Sequence, residues 1–107
     1  MMNNIEIVKI NGKNNVFFTT KGLKNTINKE ITINIPLDEE LATYIINKTI
    51  ENIENGLTIN NKDFNDEILT CKIYYVMKDD NIVIVFPDVK MKYPWDEGCQ
   101  EVFLKQI

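Results

Sequence analysis

Apolar and polar residues alternate through the first third of the chain, which is the pattern of β-strands. Residues 5–10 and 16–20 are rich in β-branched and aromatic side chains and flank Asn11-Gly12, a pair that tolerates the positive φ of a tight turn. They predict a hairpin. Residues 30–35 place their isoleucines on one face and predict a half-buried strand. The polar residues 21–29 predict a connector between these strands.

After residue 35 the apolar positions change to helical spacing. Pro36 suits the first helical position, where an amide N–H would have no partner. The acidic residues 38–40 fill the first turn, close to the positive end of the helix dipole. Gly56 suits the left-handed residue that ends a helix. The pattern predicts one long helix over residues 36–55, with these apolar positions facing the core: Leu37, Leu41, Tyr44, Ile45, Ile50 and Ile53.

The second half of the chain predicts a loop and then a second hairpin. Residues 57–67 are polar and predict a loop. Residues 68–77 and 82–86 predict strands, and the polar residues 79–81 between them predict a tight turn. The last strand is apolar on both faces, which indicates a central or helix-covered position in the sheet. Residues 99–107 predict a short terminal helix.

This order of elements predicts an α+β fold. We expect a mostly antiparallel sheet of about five strands, with the long helix on one face and a short C-terminal helix. A length of 107 residues is that of a single domain, residues 1–107. No apolar run approaches the roughly 20 residues of a membrane span, and the first residues lack the pattern of a signal peptide. A cytoplasmic protein is therefore predicted.

The charged residues narrow the classes of partner. Histidine is absent, the 12 basic residues are all lysine, and the net charge is -4. Without arginine the chain lacks the planar fork that binds phosphate or guanine through two hydrogen bonds, and its acidity opposes binding to nucleic acid. A basic protein partner is favoured instead. The excess of isoleucine and asparagine and the single alanine are typical of an AT-rich genome, as in low-GC bacteria and their phages.

The sequence contains no recognisable catalytic, metal-binding or cofactor-binding motif. A nucleophilic triad lacks its histidine, the glycines are isolated, and the acidic clusters lack the spacing of a calcium loop. Cys71 and Cys99 have no histidine with which to complete a zinc site. We expect both cysteines to be reduced thiols, a disulfide between them being the alternative. The prediction is therefore a protein that is not an enzyme, with no metal and no cofactor.

The best candidate ligand-binding residues lie near the C-terminus. Asp88 directly follows a predicted buried strand, and strand ends are common ligand positions. Asp96 is next to Trp95, the single tryptophan, and Tyr93 lies two residues before it. The structural alternative is that Asp88 forms an Asx-type turn and that the aromatic side chain closes the edge of the sheet.

The same region carries a family resemblance. Phe-Pro-Asp at residues 86–88 and Tyr-Pro-Trp-Asp-Glu-Gly at residues 93–98, followed by Gln106, resemble the C-terminus of a bacterial family catalogued as domain of unknown function 4262. Further upstream, residues 18–23 resemble the family's Tyr-Thr-x-Gly-Leu segment, and residues 35–42 resemble its Leu-Pro-x-Glu-Leu-Ala helix start.

Together the matches extend over residues 16–106. The chain departs from the family at residues 28–30, where Asn-Lys-Glu stands in place of the usual His-Pro-Glu. The resemblance implies an α+β fold. It implies no activity, because the biochemical role of the family is not established.

These observations favour a small non-enzymatic binding protein of bacterial or phage origin, which acts on a protein partner as an inhibitor or immunity factor does. The alternative is a small-molecule binder that holds a nucleotide-like metabolite in a pocket formed by Tyr93, Trp95 and Asp88. A hydrolase that uses Cys99 or Asp88 is the least favoured hypothesis. An exposed edge strand also leaves a homodimer open.

Overall fold

A computed structural model of the chain describes residues 5–11, 16–56, 63–64 and 73–107. These residues form strands, one long helix and two single-turn helices. In chain order the elements are β1 (Glu6–Lys9), β2 (Phe18–Lys21), α1 (Lys24–Ile27), β3 (Ile31–Ile33), α2 (Glu39–Glu54), β4 (Asp63–Phe64), β5 (Ile73–Lys78), β6 (Asn81–Val85) and α3 (Glu101–Leu104).

The strands form one sheet in the order β1-β2-β3-β6-β5-β4. Five of them are three or more residues long, and β4 adds a two-residue edge. Among the described pairs only β3 and β6 run parallel, with Thr32 opposite Val83. The fold is therefore α+β with a mostly antiparallel sheet, as predicted. The parallel pair lies at the centre of the sheet and joins the hairpin β1-β2 to the hairpin β5-β6.

The first hairpin is confirmed. Glu6 lies opposite Lys21, and the Ile10 N–H donates to the Phe17 carbonyl at 2.9 Å, just beyond the ladder. Residues 12–15, which include the glycine of the predicted turn, lie outside the described residues.

The polar connector predicted over residues 21–29 contains a helical turn that the sequence pattern did not indicate. This turn is helix α1, and Leu23 just before that helix is fully buried in the core. Asn28 ends the turn in the left-handed conformation (φ 64°). One helical turn shows no periodicity, so the pattern could not reveal it.

Strand β3 was predicted to be half-buried, and it is buried on both faces. Ile31 and Ile33 pack with α2 in the core, whereas Thr32 and Asn34 on the opposite face are 5% and 9% exposed. The strand lies between β2 and β6, and Asn34 Nδ2 donates to the backbone carbonyl of Gln106, the residue before the last, at 2.7 Å.

The long helix begins at Glu39, not at Pro36 as predicted. Asp38 caps it by accepting the Leu41 N–H at 3.2 Å, while the Leu37 N–H turns back to the Ile35 carbonyl. A side-chain acceptor that satisfies an orphan amide determines the first helical turn more strongly than the permissive proline. The predicted end is confirmed, because Gly56 follows the last turn with a φ of 100°.

The buried face of helix α2 differs from the predicted one. Leu41, predicted to face the core, is 38% exposed. Thr49, which the pattern did not single out, is buried, and its hydroxyl lies 3.0 Å from the hydroxyl of Tyr75 on β5. No helix in the described part of the chain is long and apolar enough to cross a membrane. The buried helix positions are Ala42, Ile45, Ile46, Thr49 and Ile50.

The hairpin β5-β6 is confirmed, and β6 occupies the predicted central position between β3 and β5. Lys78 pairs with Asn81 across the turn, and the two residues between them, Asp79 and Asp80, have φ of 52° and 64°. Two successive positive φ values identify a type I′ turn. Residues 57–62 and 65–72, which include Cys71 and the first half of the predicted strand 68–77, lie outside the described residues.

The turn yields a stability prediction. We expect the free energy of unfolding of Asp80→Ala to be about 1 kcal/mol lower than that of wild type, because alanine is strained at positive φ, where aspartate is better tolerated. Asp80→Gly is expected to be at least as stable as wild type. Urea unfolding measures both.

Glu51, exposed in the middle of α2, provides the matched control. There the order should reverse, with Ala more stable than Gly by about 1 kcal/mol. The same order at both positions would contradict the assigned turn.

Candidate functional site

The end of β6 is fixed by a side chain from the C-terminus. The Phe86 N–H donates to Gln106 Oε1 at 2.7 Å, and Gln106 Nε2 donates to the Phe86 carbonyl at 2.7 Å. The primary amide thus pairs with Phe86 as the peptide group of a neighbouring strand would. Pro87 follows and has no N–H, so the ladder ends here.

Gln106 also links β6 to β3. Its Nε2 donates a second hydrogen bond, to the Phe103 carbonyl at 2.9 Å, and its own carbonyl accepts from Asn34 Nδ2 at 2.7 Å. The side chain is fully buried. The C-terminal residues are therefore held where the two parallel strands end. Sequence analysis named Gln106 only through the family resemblance, because a lone glutamine has no pattern of its own.

Asp88 organises the loop that follows β6. Its Oδ1 accepts the N–H groups of Lys90 and Lys92, both at 2.9 Å, and its Oδ2 accepts the N–H of Gln100 at 3.0 Å. The Asp88 backbone closes the same turn, with its N–H donating to the Lys92 carbonyl at 2.8 Å. At 3% exposure the carboxylate is directed at backbone amides, which is the geometry of an Asx-type turn.

The pKa of Asp88 agrees with this role. Burial acts to raise the pKa, but the amide hydrogen bonds from Lys92, Gln100 and Lys90, together with the positive charge of Lys90, outweigh it and lower the pKa from its ordinary 3.8. The group is ionised at neutral pH. A general acid needs the opposite shift, so this carboxylate is suited to holding the loop rather than to donating a proton.

Asp96 closes a second turn. The Asp96 N–H donates to the Tyr93 carbonyl and the Tyr93 N–H donates to Asp96 Oδ2, both at 2.9 Å. Pro94 occupies the second position of this four-residue turn, where its fixed φ is favourable. The two reciprocal hydrogen bonds fix the direction of the aromatic side chains at residues 93 and 95.

Those side chains join Tyr74 of β5 in an aromatic cluster, defined here as Tyr74, Tyr93 and Trp95. The rings of Tyr93 and Trp95 are parallel, with centroids 5.3 Å apart and planes 2° apart. Tyr74 meets both edge-on, with centroids at 4.9 Å and 5.1 Å. Tyr74 lies opposite the buried Val85, so the cluster covers the face of the sheet remote from α2.

The cluster is only partly covered. Trp95 is 49% exposed, and Val89 and Met91 in the same loop are 81% and 50% exposed. Exposed apolar side chains that lie together in one loop are a feature of interaction sites. Lys90 and Lys92, also exposed, alternate with them.

Cys99 is a buried free thiol between the two turns. Burial raises its pKa, and the negative charges of Asp88 and Asp96 raise it further. Its Sγ donates to the Lys92 carbonyl at 3.4 Å. A raised pKa keeps the thiol protonated, which is the reverse of what a catalytic cysteine needs.

The structure thus separates the residues that sequence analysis grouped as one candidate site. Tyr93 and Trp95 are stacked, while the carboxylates of Asp88 and Asp96 bind backbone amides. Tyr74 completes the cluster, and no local pattern distinguished it from other strand residues. Among the described residues, no three acidic, cysteine or histidine side chains come together as metal ligands.

No protein-family model, curated protein or solved structure matches the chain. The resemblance to the family of unknown function therefore stays a prediction.

Gln106 gives a direct test of the link to β6. Gln106→Met keeps the side-chain volume but leaves the buried Phe86 N–H and carbonyl unpaired, so we expect a loss of about 1–3 kcal/mol in the free energy of unfolding. Hydrogen exchange of the Phe86 amide should also accelerate. Gln100→Met, the same substitution at an exposed glutamine, is the control and should stay within about 0.5 kcal/mol of wild type. Equal effects at the two positions would contradict the assigned link.

The lowered pKa of Asp88 predicts a pH dependence. A carboxylate whose pKa is lower in the folded state stabilises the fold above its unfolded pKa, and this stability is lost as the pH falls through the folded pKa. The stability of wild type over Asp88→Asn should therefore be largest at neutral pH and shrink below pH 3.8. Urea unfolding across this range measures the difference. A constant difference would show that the charge of Asp88 has no role.

Proposed function

We propose that this chain is a small non-enzymatic binding protein that acts in the cytoplasm and docks on a protein partner through the aromatic cluster. The chain would belong to the inhibitors and immunity factors of bacteria or their phages. The observation that carries the proposal is Trp95, which is half exposed and yet stacked on Tyr93. Tryptophan and tyrosine are enriched among the residues that dominate binding energy at protein interfaces.

The loop is organised before any partner arrives. Asp88 accepts three backbone N–H groups and Asp96 closes the turn that carries Trp95. Binding therefore requires little further ordering of side chains and backbone. A surface that is already ordered keeps more of its contact energy as affinity.

Charge supports a basic partner. The net charge of -4 attracts a cationic protein over distances of about a Debye length and increases the rate of encounter. Lys90 and Lys92 lie within the loop itself, so the contact surface is mixed in charge. The overall negative charge therefore affects the association rate more than the contact energy.

The alternative, a nucleotide-like metabolite held by Tyr93, Trp95 and Asp88, has less support. The Asp88 carboxylate already accepts three amide hydrogen bonds, at 2.9–3.0 Å, and is only 3% exposed. A ligand would have to break the loop in order to reach it. Titration of Trp95 fluorescence with nucleotides, sugars and amino acids would nevertheless reveal stacking on the rings alone.

The proposal predicts that Trp95 dominates affinity for the partner. A partner captured from the lysate of a low-GC bacterium is purified, and its dissociation constant is measured by calorimetry. Trp95→Ala should weaken binding by about 30-fold, the equivalent of about 2 kcal/mol for a dominant interface residue. Because the chain has one tryptophan, its emission should also shift to shorter wavelength on binding.

Leu104→Ala is the matched control, since Leu104 is 43% exposed and lies in α3, outside the cluster. It should bind as wild type does. Circular dichroism confirms that both variants fold. If Trp95→Ala and Leu104→Ala bound the purified partner equally well, the cluster would not be the docking surface.

A further inference from the structure

We propose that a cavity on another side of the C-terminal segment binds a compact hydrophobic amine, a small molecule with an apolar body and one ammonium group. The cavity has a volume of about 500 Å³. Three segments form its walls: the connection from β3 to α2 (residues 35–37), the residues after β6 (86–87) and the start of α3 (100–103). It does not include the aromatic cluster, so this site is separate from the docking surface.

The size and shape of the cavity suit a small molecule. Pockets that enclose such ligands hold about 300–1,000 Å³ and are lined mainly by apolar side chains. Two other cavities on the described surface, about 230 Å³ and 190 Å³, fall below this range. Pro36 is exposed and Val102 is 51% exposed, so a ligand reaches the cavity from solvent.

The base of the cavity is rigid. Ile35 and Phe86 lie just beyond the carboxyl ends of the parallel strands β3 and β6, are 4% and 5% exposed and belong to the core. Gln106 holds the Phe86 backbone in place. The crevice beyond the carboxyl ends of adjacent parallel strands is a general position for ligands in open sheets. Here it is preformed, so binding requires little reorganisation.

The walls offer few hydrogen-bond donors to an anion. Pro36 and Pro87 have no N–H, and the Leu37 N–H is bonded to the Ile35 carbonyl. The N–H groups of Phe86 and Gln100 are bonded to Gln106 and Asp88. The Gln100 side-chain amide and the first backbone amides of α3 are further donors in the lining, but they lie beside the Glu101 carboxylate, whose charge repels an anion. The cavity therefore disfavours acidic ligands.

The charge at the rim favours a cation. Glu101 is the one charged side chain that lines the cavity among the described residues. Lys105 lies 3.7 Å from Glu101, but both side chains are mostly exposed, so the pair is weak and the ammonium of a ligand can share the carboxylate. An apolar cavity with a negative rim is complementary to a hydrophobic amine.

Three compounds with the same hydrocarbon cage test the ligand class: 1-adamantylamine, 1-adamantanol and adamantane-1-carboxylate. Dissociation constants are measured by calorimetry and by NMR titration of the whole chain. We expect the amine to bind about two- to five-fold more tightly than the alcohol, the range of exposed charge pairs. The carboxylate should bind more weakly than the alcohol by a similar factor, because Glu101 repels it. Equal affinities, a preference for the carboxylate, or no binding of the amine would overturn the proposal.

Two variants locate the site. Val102→Trp fills the cavity from its exposed side and should weaken amine binding by more than about tenfold, whereas Val89→Trp, the same change at an exposed valine outside the cavity, should not. Glu101→Gln should equalise the amine and the alcohol. Circular dichroism confirms that each variant folds. Wild-type amine binding in Val102→Trp, or a retained amine preference in Glu101→Gln, would contradict the assignment.

The result is independent of the proposed docking function. Trp95→Ala should leave the affinity for 1-adamantylamine unchanged, because Trp95 does not line the cavity. A change in amine affinity in this variant would place the amine on the aromatic cluster instead and would overturn the cavity assignment.

Discussion

The C-terminal half of the fold depends on the pairing of one buried side-chain amide with the backbone of Phe86. Strand β6 ends at Val85, just before Phe86, because Pro87 has no N–H with which to continue the ladder, and the neighbouring strand β3 ends at Ile33. A buried N–H and carbonyl left without partners would cost about 1–3 kcal/mol, which is a large part of the stability of a small domain. Gln106 supplies both partners, and this pairing holds together the two ends of the segment from residue 87 to residue 106.

Asp88 has the equivalent role for the loop inside that segment. A buried carboxylate is unfavourable unless it is well hydrogen-bonded, and here it accepts amides from both ends of the loop. Its charge is therefore used for structure. The exposed aromatic and apolar side chains of the loop are left for contacts with other molecules.

Local patterns predicted the elements well and the contacts between them poorly. The alternation in residues 30–35 and the polar residues at the β5-β6 turn predicted strands and a turn that the structure contains. Helix α2 was predicted three residues too early, because Pro36 and Asp38 are both acceptable at a helix start and only the hydrogen bond to Leu41 decides between them. A capping hydrogen bond is a local contact, but which residue becomes the cap depends on where the preceding strand ends.

The parallel pairing of β3 with β6 and the pairing of Gln106 with Phe86 join residues far apart in sequence, and no periodicity encodes such contacts. Tyr74 illustrates the same limit at the candidate site. The strand that contains Tyr74 was predicted, but the contacts of the Tyr74 ring with Tyr93 and Trp95 depend on how the C-terminal segment crosses the sheet. The alternative reading of Asp88 as a turn-forming residue came from its position before a loop, and the geometry of its three hydrogen bonds supports that reading.

The hydrogen bond from the Gln100 N–H to Asp88 connects the loop of the aromatic cluster to the apolar cavity. Gln100 borders the cavity and Asp88 holds the loop of the cluster, so a displacement of the Gln100 backbone would also move the Asp88 carboxylate. Coupling between two sites, however, requires an element with two arrangements of similar free energy. Any second arrangement of this segment would leave the buried carboxylate of Asp88 or the buried backbone of Phe86 without partners, and would lie well above the first in free energy. The connection therefore holds the two surfaces in a fixed relation instead of transmitting a signal between them, and each is expected to bind its own ligand independently.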